Sequence, residues 1–313
     1  VNKHHFTLIG DPAMSLALPK NSVVIDYING KATAEIDTIK GNSIVTVEGH
    51  IANRNNEPIS DFNGTANILV RDSKQYITCR GNDANTSDLF IYSDRPSTLF
   101  KGSCTVTNGQ FSFTFRMPRD IYNDGEQGLM TIYAQDSKQG ISANGETDSF
   151  IAEGWEDTSN DYIGPSIYAY LNSPSFTNGG TVGLTPYFVA EVSDNDGVNV
   201  SNSSLGHNME LIIDGKTNMT YDITDNFVFD NNSYTTGQTY YVLPALAPGN
   251  HSLSFKAWDV LGNSNSVSLD FRVVKGLQPT IANVRVYPAI ITDEATFYVT
   301  HDMQGSEADI YVD

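Results

Sequence analysis

The sequence predicts an all-β chain of tandem immunoglobulin-like β-sandwich domains. Short runs rich in β-branched and aromatic residues alternate apolar with polar positions, and Gly, Asn, Asp or Pro interrupts them about every 8–12 residues. The period of two is plainest in residues 110–115, where Phe111, Phe113 and Phe115 share one face while Ser112 and Thr114 take the other. No stretch of about 12 residues carries apolar positions at the 3.6 spacing of a helix, so helix is expected to be essentially absent.

Taken in order, residues 43–51, 66–70, 110–115 and 130–134 read as strands of a first sandwich, and residues 187–192, 208–214, 238–243 and 251–259 as strands of a second that begins at Gly164. A chain of 313 residues is expected to hold two or three domains at about 100–150 residues each. The expected divisions are an opening segment at 1–20, a first β-sandwich at 21–153, a turn-rich acidic linker at 154–163 and a second β-sandwich at 164–275. Residues 276–313 supply too few strands to close a core alone, and read as the truncated start of a further domain. The chain opens directly into a strand-like run and stops inside another, so it is expected to be a piece of a longer protein.

With 18 Lys and Arg against 37 Asp and Glu, the formal net charge is −19. Nucleic acid is excluded as a partner, because phosphate binding needs clustered cations that release counterions. No run of 18 or more apolar residues occurs, so no membrane span is expected. Cys79 and Cys104 could meet as a disulfide between neighbouring strands or stay as two thiols, and neither has a second Cys or His at zinc-ligand spacing. Asn-X-Ser/Thr sequons, among them those at Asn63, Asn85, Asn199, Asn202, Asn218 and Asn231, are read as turn residues, since Asn tolerates left-handed backbone.

Nucleophilic catalysis needs a positioned base beside a Cys or Ser. The histidines are His4, His5, His50, His207, His251 and His301. His50 and His251 fall inside strand patterns, and neither cysteine stands in a recognisable nucleophile turn, so no catalytic residue is assigned. Metal binding has one candidate: Ser193-Asp-Asn-Asp-Gly-Val-Asn199 places Asp194 and Asp196 at alternate positions in a Gly-containing turn, the spacing of hard oxygen ligands for calcium. The segment lacks the downstream bidentate Glu of an EF-hand loop, and Asp side chains bonding their own turn account for it equally well. No other cofactor is indicated. Carbohydrate binding would draw on exposed aromatic rings, for which Trp155, Tyr240 and Tyr241 are candidates, whereas Trp258 in Lys-Ala-Trp-Asp259 has a core pattern. A cell-surface adhesin or glycan-binding array is therefore the alternative function.

Three segments resemble one known family. Phe6-Thr-Leu-Ile-Gly-Asp-Pro-Ala13 resembles the closing strand of the gingipain-type cysteine peptidase domain. Residues 193–215, followed by Leu246-Ala-Pro-Gly-Asn-His-Ser-Leu-Ser-Phe-Lys-Ala-Trp-Asp-Val-Leu-Gly-Asn-Ser264, are similar to the region downstream of that domain in PorU-like sortases of the type IX secretion system. Val284-Arg-Val-Tyr-Pro288 and Phe297-Tyr-Val-Thr-His-Asp302 resemble the start of a FlgD-like immunoglobulin-type domain, with Ala289 and Ile290 where such domains more often carry Asn-Pro. The resemblance implies a non-catalytic scaffold downstream of a Cys/His peptidase that processes C-terminal signals of secreted cargo. Its implied partners are an upstream peptidase domain of the same chain, outer-membrane secretion-system proteins and secreted cargo. Its implied location is extracytoplasmic, at the outer membrane or cell surface of a Gram-negative bacterium of the Bacteroidetes.

Overall fold

The computed structural model describes residues 18–81, 89–157, 161–201, 206–277, 281–287 and 296–301. The segment 6–13, the sequons at Asn85 and Asn202, and His4 and His5 lie outside the described residues. The chain is all-β, as the alternation predicts: two three-residue 3-10 turns are the only helical elements among the described residues.

The first body contains β1 (Asn21–Ile28), β2 (Lys31–Ala32), β3 (Asp37–Gly41), β4 (Ile44–Ala52), β5 (Gly64–Arg71), β6 (Gln75–Thr78), β7 (Ile91–Asp94), β8 (Thr98–Thr107), β9 (Gln110–Arg116), β10 (Leu129–Asp136), β11 (Ile141–Thr147) and β12 (Phe150–Trp155). Its ladder runs β11-β10-β5-β8-β9-β4-β1-β2, and a parallel pairing of β1 with β11, Asn21 opposite Ala143, links the two halves. β8 and β9 pair at only two positions beside their turn, so they splay into facing sheets. That turn is Asn108-Gly109, with φ of 53° and 74°, the doubly positive geometry that two-residue hairpins require. A Cβ on Gly109 would stand 1.7 Å from the Ile59 carbonyl oxygen, so only glycine fits. The rings of Phe111, Phe113 and Phe115 point inward, as the period of two predicts, and are joined by Ile25, Val47, Ile68, Val70 and Ile132.

The second body contains β13 (Ser166–Leu171), β14 (Thr181–Val182), β15 (Tyr187–Ser193), β16 (Glu210–Ile213), β17 (Thr220–Asp222), β18 (Val228–Phe229), β19 (Thr236–Val242), β20 (Gly249–Trp258) and β21 (Ser264–Val273). Two sheets, β13-β15-β19-β18 and β14-β21-β20-β16-β17, face one another. Phe188 and Phe255 meet between them with ring centroids 5.3 Å apart. Beyond this body, β22 (Ile281–Tyr287) and β23 (Thr296–His301) form an antiparallel pair.

The two bodies are docked through the turn between β18 and β19. Asn232 donates its backbone N–H to the Ser103 carbonyl at 2.9 Å and accepts the Thr105 N–H on its side-chain oxygen at 2.8 Å. Ser103 and Thr105 hydroxyls bond Asn231. Phe229, at the end of β18, packs on Phe100, 5.5 Å between centroids, and Phe100 stacks on Phe115 at 4.8 Å. Ring contacts therefore run from one core into the other. The amide of the Asn231 sequon is consumed by this joint, in keeping with its reading as a turn residue. No helix among the described residues is long and apolar enough to cross a membrane.

Phe115 is wholly buried and touches both the Phe113 and Phe100 rings. Phe115→Ala is expected to lower the unfolding free energy by about 3–5 kcal/mol, the cost of a large buried ring and the cavity it leaves. Urea denaturation followed by fluorescence measures it, and a loss under about 1 kcal/mol would contradict the packing.

Candidate functional site

The loop after β15 is stitched to the end of β20. Val260 donates its N–H to the Gly197 carbonyl and Asn199 to that of Trp258. Gly197 has φ of 120°, and a Cβ there would press on the Tyr234 ring at 3.0 Å. This closure carries Asp194 and Asp196 to the joint between the two bodies. Asp194 Oδ1 accepts the N–H groups of Asp196 and Gly197 at 2.8 and 3.2 Å, so the turn-bonding expected of these residues is made.

The structure adds two groups. Asp161 joins Asp194 and Asp196, with one carboxylate oxygen of each within 4.8 Å of the others. Arg116, from the end of β9 in the other body, reaches Asp196 Oδ1 with Nη2 at 2.9 Å. Burial is the main cause that pushes the Asp194 carboxyl up to about 6, aided by the Asp259 and Asp161 charges against the two backbone donors. Burial also raises Asp259, although the Asn263 side chain and N–H, with those of Leu261 and Gly262, hold its ionised form. The spacing in residues 194–196 signalled two of these residues. Asp161 lay in an acidic linker, and nothing local marked Arg116.

Beside this cluster lies a cleft of about 730 Å³ whose lining includes Arg119, Asp120, Trp155, Glu156, Tyr162 and Asn263. Trp155 is 52% exposed and its Nε1 donates to the Arg119 carbonyl at 2.9 Å, which fixes the ring. The other aromatic candidates divide by strand parity. Tyr240 is exposed, whereas Tyr241 faces inward and meets Tyr221 at 5.0 Å. Trp258 is half-buried between the His207 ring and the Lys256 ammonium.

Both cysteines are free thiols in this structure. Cys104 faces the first core opposite Ala66, and burial pushes its thiol up to about 12, so the nucleophilic thiolate is suppressed. Cys79 follows β6 in a different sheet and is half-buried. His50 Nδ1 lies 2.7 Å from Asp26, His207 bonds Asp120 across the joint, and His251 sits between Asp214 at 3.0 Å and the Ala247 carbonyl at 2.8 Å. Side-chain placement of His301 lies outside the described residues.

A folded-state pKa of about 6 for Asp194, against 3.8 for the free carboxyl, means that the folded state binds the proton more tightly. Its stabilising effect is complete below pH about 4 and is lost as pH rises through about 6. Asp194→Asn keeps an oxygen for the two N–H donors and removes the charge. It is expected to raise stability at pH 8 by about 1–2 kcal/mol, discounted for partial exposure, and to change little at pH 4. Thermal unfolding at the two pH values checks this, and equal shifts at both would refute it.

No family model and no curated protein matches the chain. Among solved structures, PorU from Porphyromonas gingivalis, determined as a dimeric latent form, aligns with 95% of the chain at 27% identity and a TM-score of 0.55. MtrC from Shewanella baltica OS185 aligns with 85% of this chain and 72% of its own at 10% identity, with a TM-score of 0.26. Escherichia coli alpha-2-macroglobulin aligns with 88% of this chain and 25% of its own at 9% identity, also with a TM-score of 0.26. The last two carry no argument. The chain spans 28% of the PorU structure's length, and within that span its tandem β-sandwich architecture and its sequence are both similar to PorU.

Proposed function

We propose that this chain is the non-catalytic β-sandwich scaffold of a PorU-like cysteine peptidase, a sortase that processes C-terminal signals of type IX-secreted cargo at the outer membrane. The alignment with PorU over 95% of the chain carries the reading. In this reading the upstream peptidase domain supplies the Cys and His, and the sandwiches hold it against secretion-system proteins and cargo. Two features support a docking role. The Phe100–Phe229 contact and the Asn231–Asn232 turn lock the two bodies together. The β6–β7 ribbon exposes Tyr76, Leu89, Phe90 and Ile91, at 82%, 53%, 69% and 58%, an apolar group of the kind that marks an interaction surface.

The gene upstream of Val1 is expected to encode a peptidase domain; further sandwich repeats alone would overturn the reading. Purified chain is expected to leave peptide substrates uncut, and cleavage lost on Cys79→Ala or Cys104→Ala would refute the scaffold role. In the full-length protein, Tyr76→Ser with Phe90→Ser is expected to shift stability by under about 0.5 kcal/mol, as exposed substitutions do. The same pair is expected to abolish co-purification with outer-membrane secretion partners, and retained co-purification counts against this surface.

A second reading concerns Asp161, Asp194 and Asp196. Three clustered carboxylates outnumber the Arg116 guanidinium that pairs with Asp196, and a calcium ion would neutralise the remaining charge. Calcium is expected to raise the melting temperature of the chain but not of Asp194→Asn, because a ligand bound only to the native state stabilises it. An unchanged melting temperature removes the ion from the reading.

A further inference from the structure

We propose that the outer face of the β13-β15-β19 sheet is a binding platform for a neutral oligosaccharide. The strand register places four side-chain rows on that face. Ser166, Ser193 and Thr236 form the first, Tyr168, Glu191 and Gln238 the second, Tyr170, Val189 and Tyr240 the third, and Tyr187 with Val242 the fourth. Tyr168 and Tyr240 are 51% and 46% exposed. Tyr168 is held by its hydroxyl, which donates to the Pro174 carbonyl at 2.9 Å, and Tyr240 by stacking on Tyr187 at 5.8 Å. Exposed aromatic surface is therefore presented in a fixed orientation, with little rotamer freedom left for a ligand to remove.

Beside Tyr168, a groove of about 460 Å³ is lined by Ser166, Glu191, Asp230, Thr236 and Gln238, among others. Carboxylates accept hydrogen bonds from hydroxyl groups, and the amide and hydroxyls both donate and accept, which is the complement of a vicinal diol. Apolar C–H faces of a pyranose ring pack on tyrosine as other apolar groups do. Two strand spacings and one side-chain row separate Tyr168 from Tyr240, about 12 Å, the reach of two or three sugar units. Charge complementarity selects the ligand class. β13, β15, β18 and β19 contain no Lys or Arg, while Glu191 and Asp230 are exposed. Phosphorylated, sulfated and carboxylated ligands are repelled, and a neutral polyol is not. The platform stands independently of the sortase reading, and it replaces Trp155 as the aromatic centre for such a ligand.

The 313-residue chain would be applied to an array of neutral oligosaccharides of glucose, galactose, mannose and N-acetylglucosamine, and any hit titrated by calorimetry. The expected result is a neutral hit whose affinity falls about five- to ten-fold with Tyr168→Ala and again with Tyr240→Ala. Both variants should still unfold cooperatively, with a melting temperature lowered by no more than a few degrees for the lost ring and hydroxyl contacts, and Trp155→Ala should bind as wild type. Absence of binding at millimolar sugar overturns the proposal. So do a preference for acidic glycans, binding indifferent to both tyrosines, loss of binding on Trp155→Ala, or a dimer of the chain that Tyr240→Ala dissociates.

Discussion

The arrangement of this chain depends on one contact zone, where the Asp230–Ser233 turn of the second sandwich sits on strand β8 of the first. Polar bonds from Asn231 and Asn232 to Ser103 and Thr105 surround the Phe100–Phe229 contact. The ring contact supplies apolar burial, which is strong but not directional. The asparagine bonds supply direction, because each demands a defined donor and acceptor geometry. Together they fix where Arg116 lies relative to Asp196, and where Asp120 lies relative to His207.

Charge is the opposing constraint. A chain with net charge −19 repels itself, and the joint concentrates Asp161, Asp194, Asp196 and Asp259 in one region. Elsewhere a buried carboxylate is stabilised locally: Asp136 accepts N–H groups from Asn63, Lys138 and Gln139, and these hold its carboxyl below the usual range despite the opposing effect of burial. Asp194 behaves differently, since its two backbone donors do not offset burial and its acidic neighbours. That imbalance brings its titration toward neutral pH. The outer face of β13, β15 and β19 is the counterpart, sparse in charge and rich in tyrosine.

Legibility in the sequence followed the range of the interactions. Asp194 and Asp196 were readable because their spacing within one turn is local, and the structure shows Asp194 capping the N–H groups of that turn. Asp161 and Arg116 were not. No period or motif ties the end of β9 to the linker that carries Asp161, or either of them to the turn after β15, and only the docking of the two bodies brings Arg116 to Asp196. The tyrosine platform was visible only as raw composition, and Trp155 was singled out as readily as Tyr240. Strand parity decides which rings face outward, and parity across three strands follows from register.

The sequence by itself determined the inward faces of the strands that alternate cleanly, because alternation of apolar and polar residues has only one way to bury its apolar half. Phe111, Phe113 and Phe115 are buried for that reason. Only the tertiary structure decided that β1 closes on β11, that the two sandwiches share a joint, and that Tyr240 faces solvent while Tyr241 faces the core. Each of those depends on register or docking between segments distant in the chain, and such pairings are selected by the summed fit of many side chains and not by any local signal.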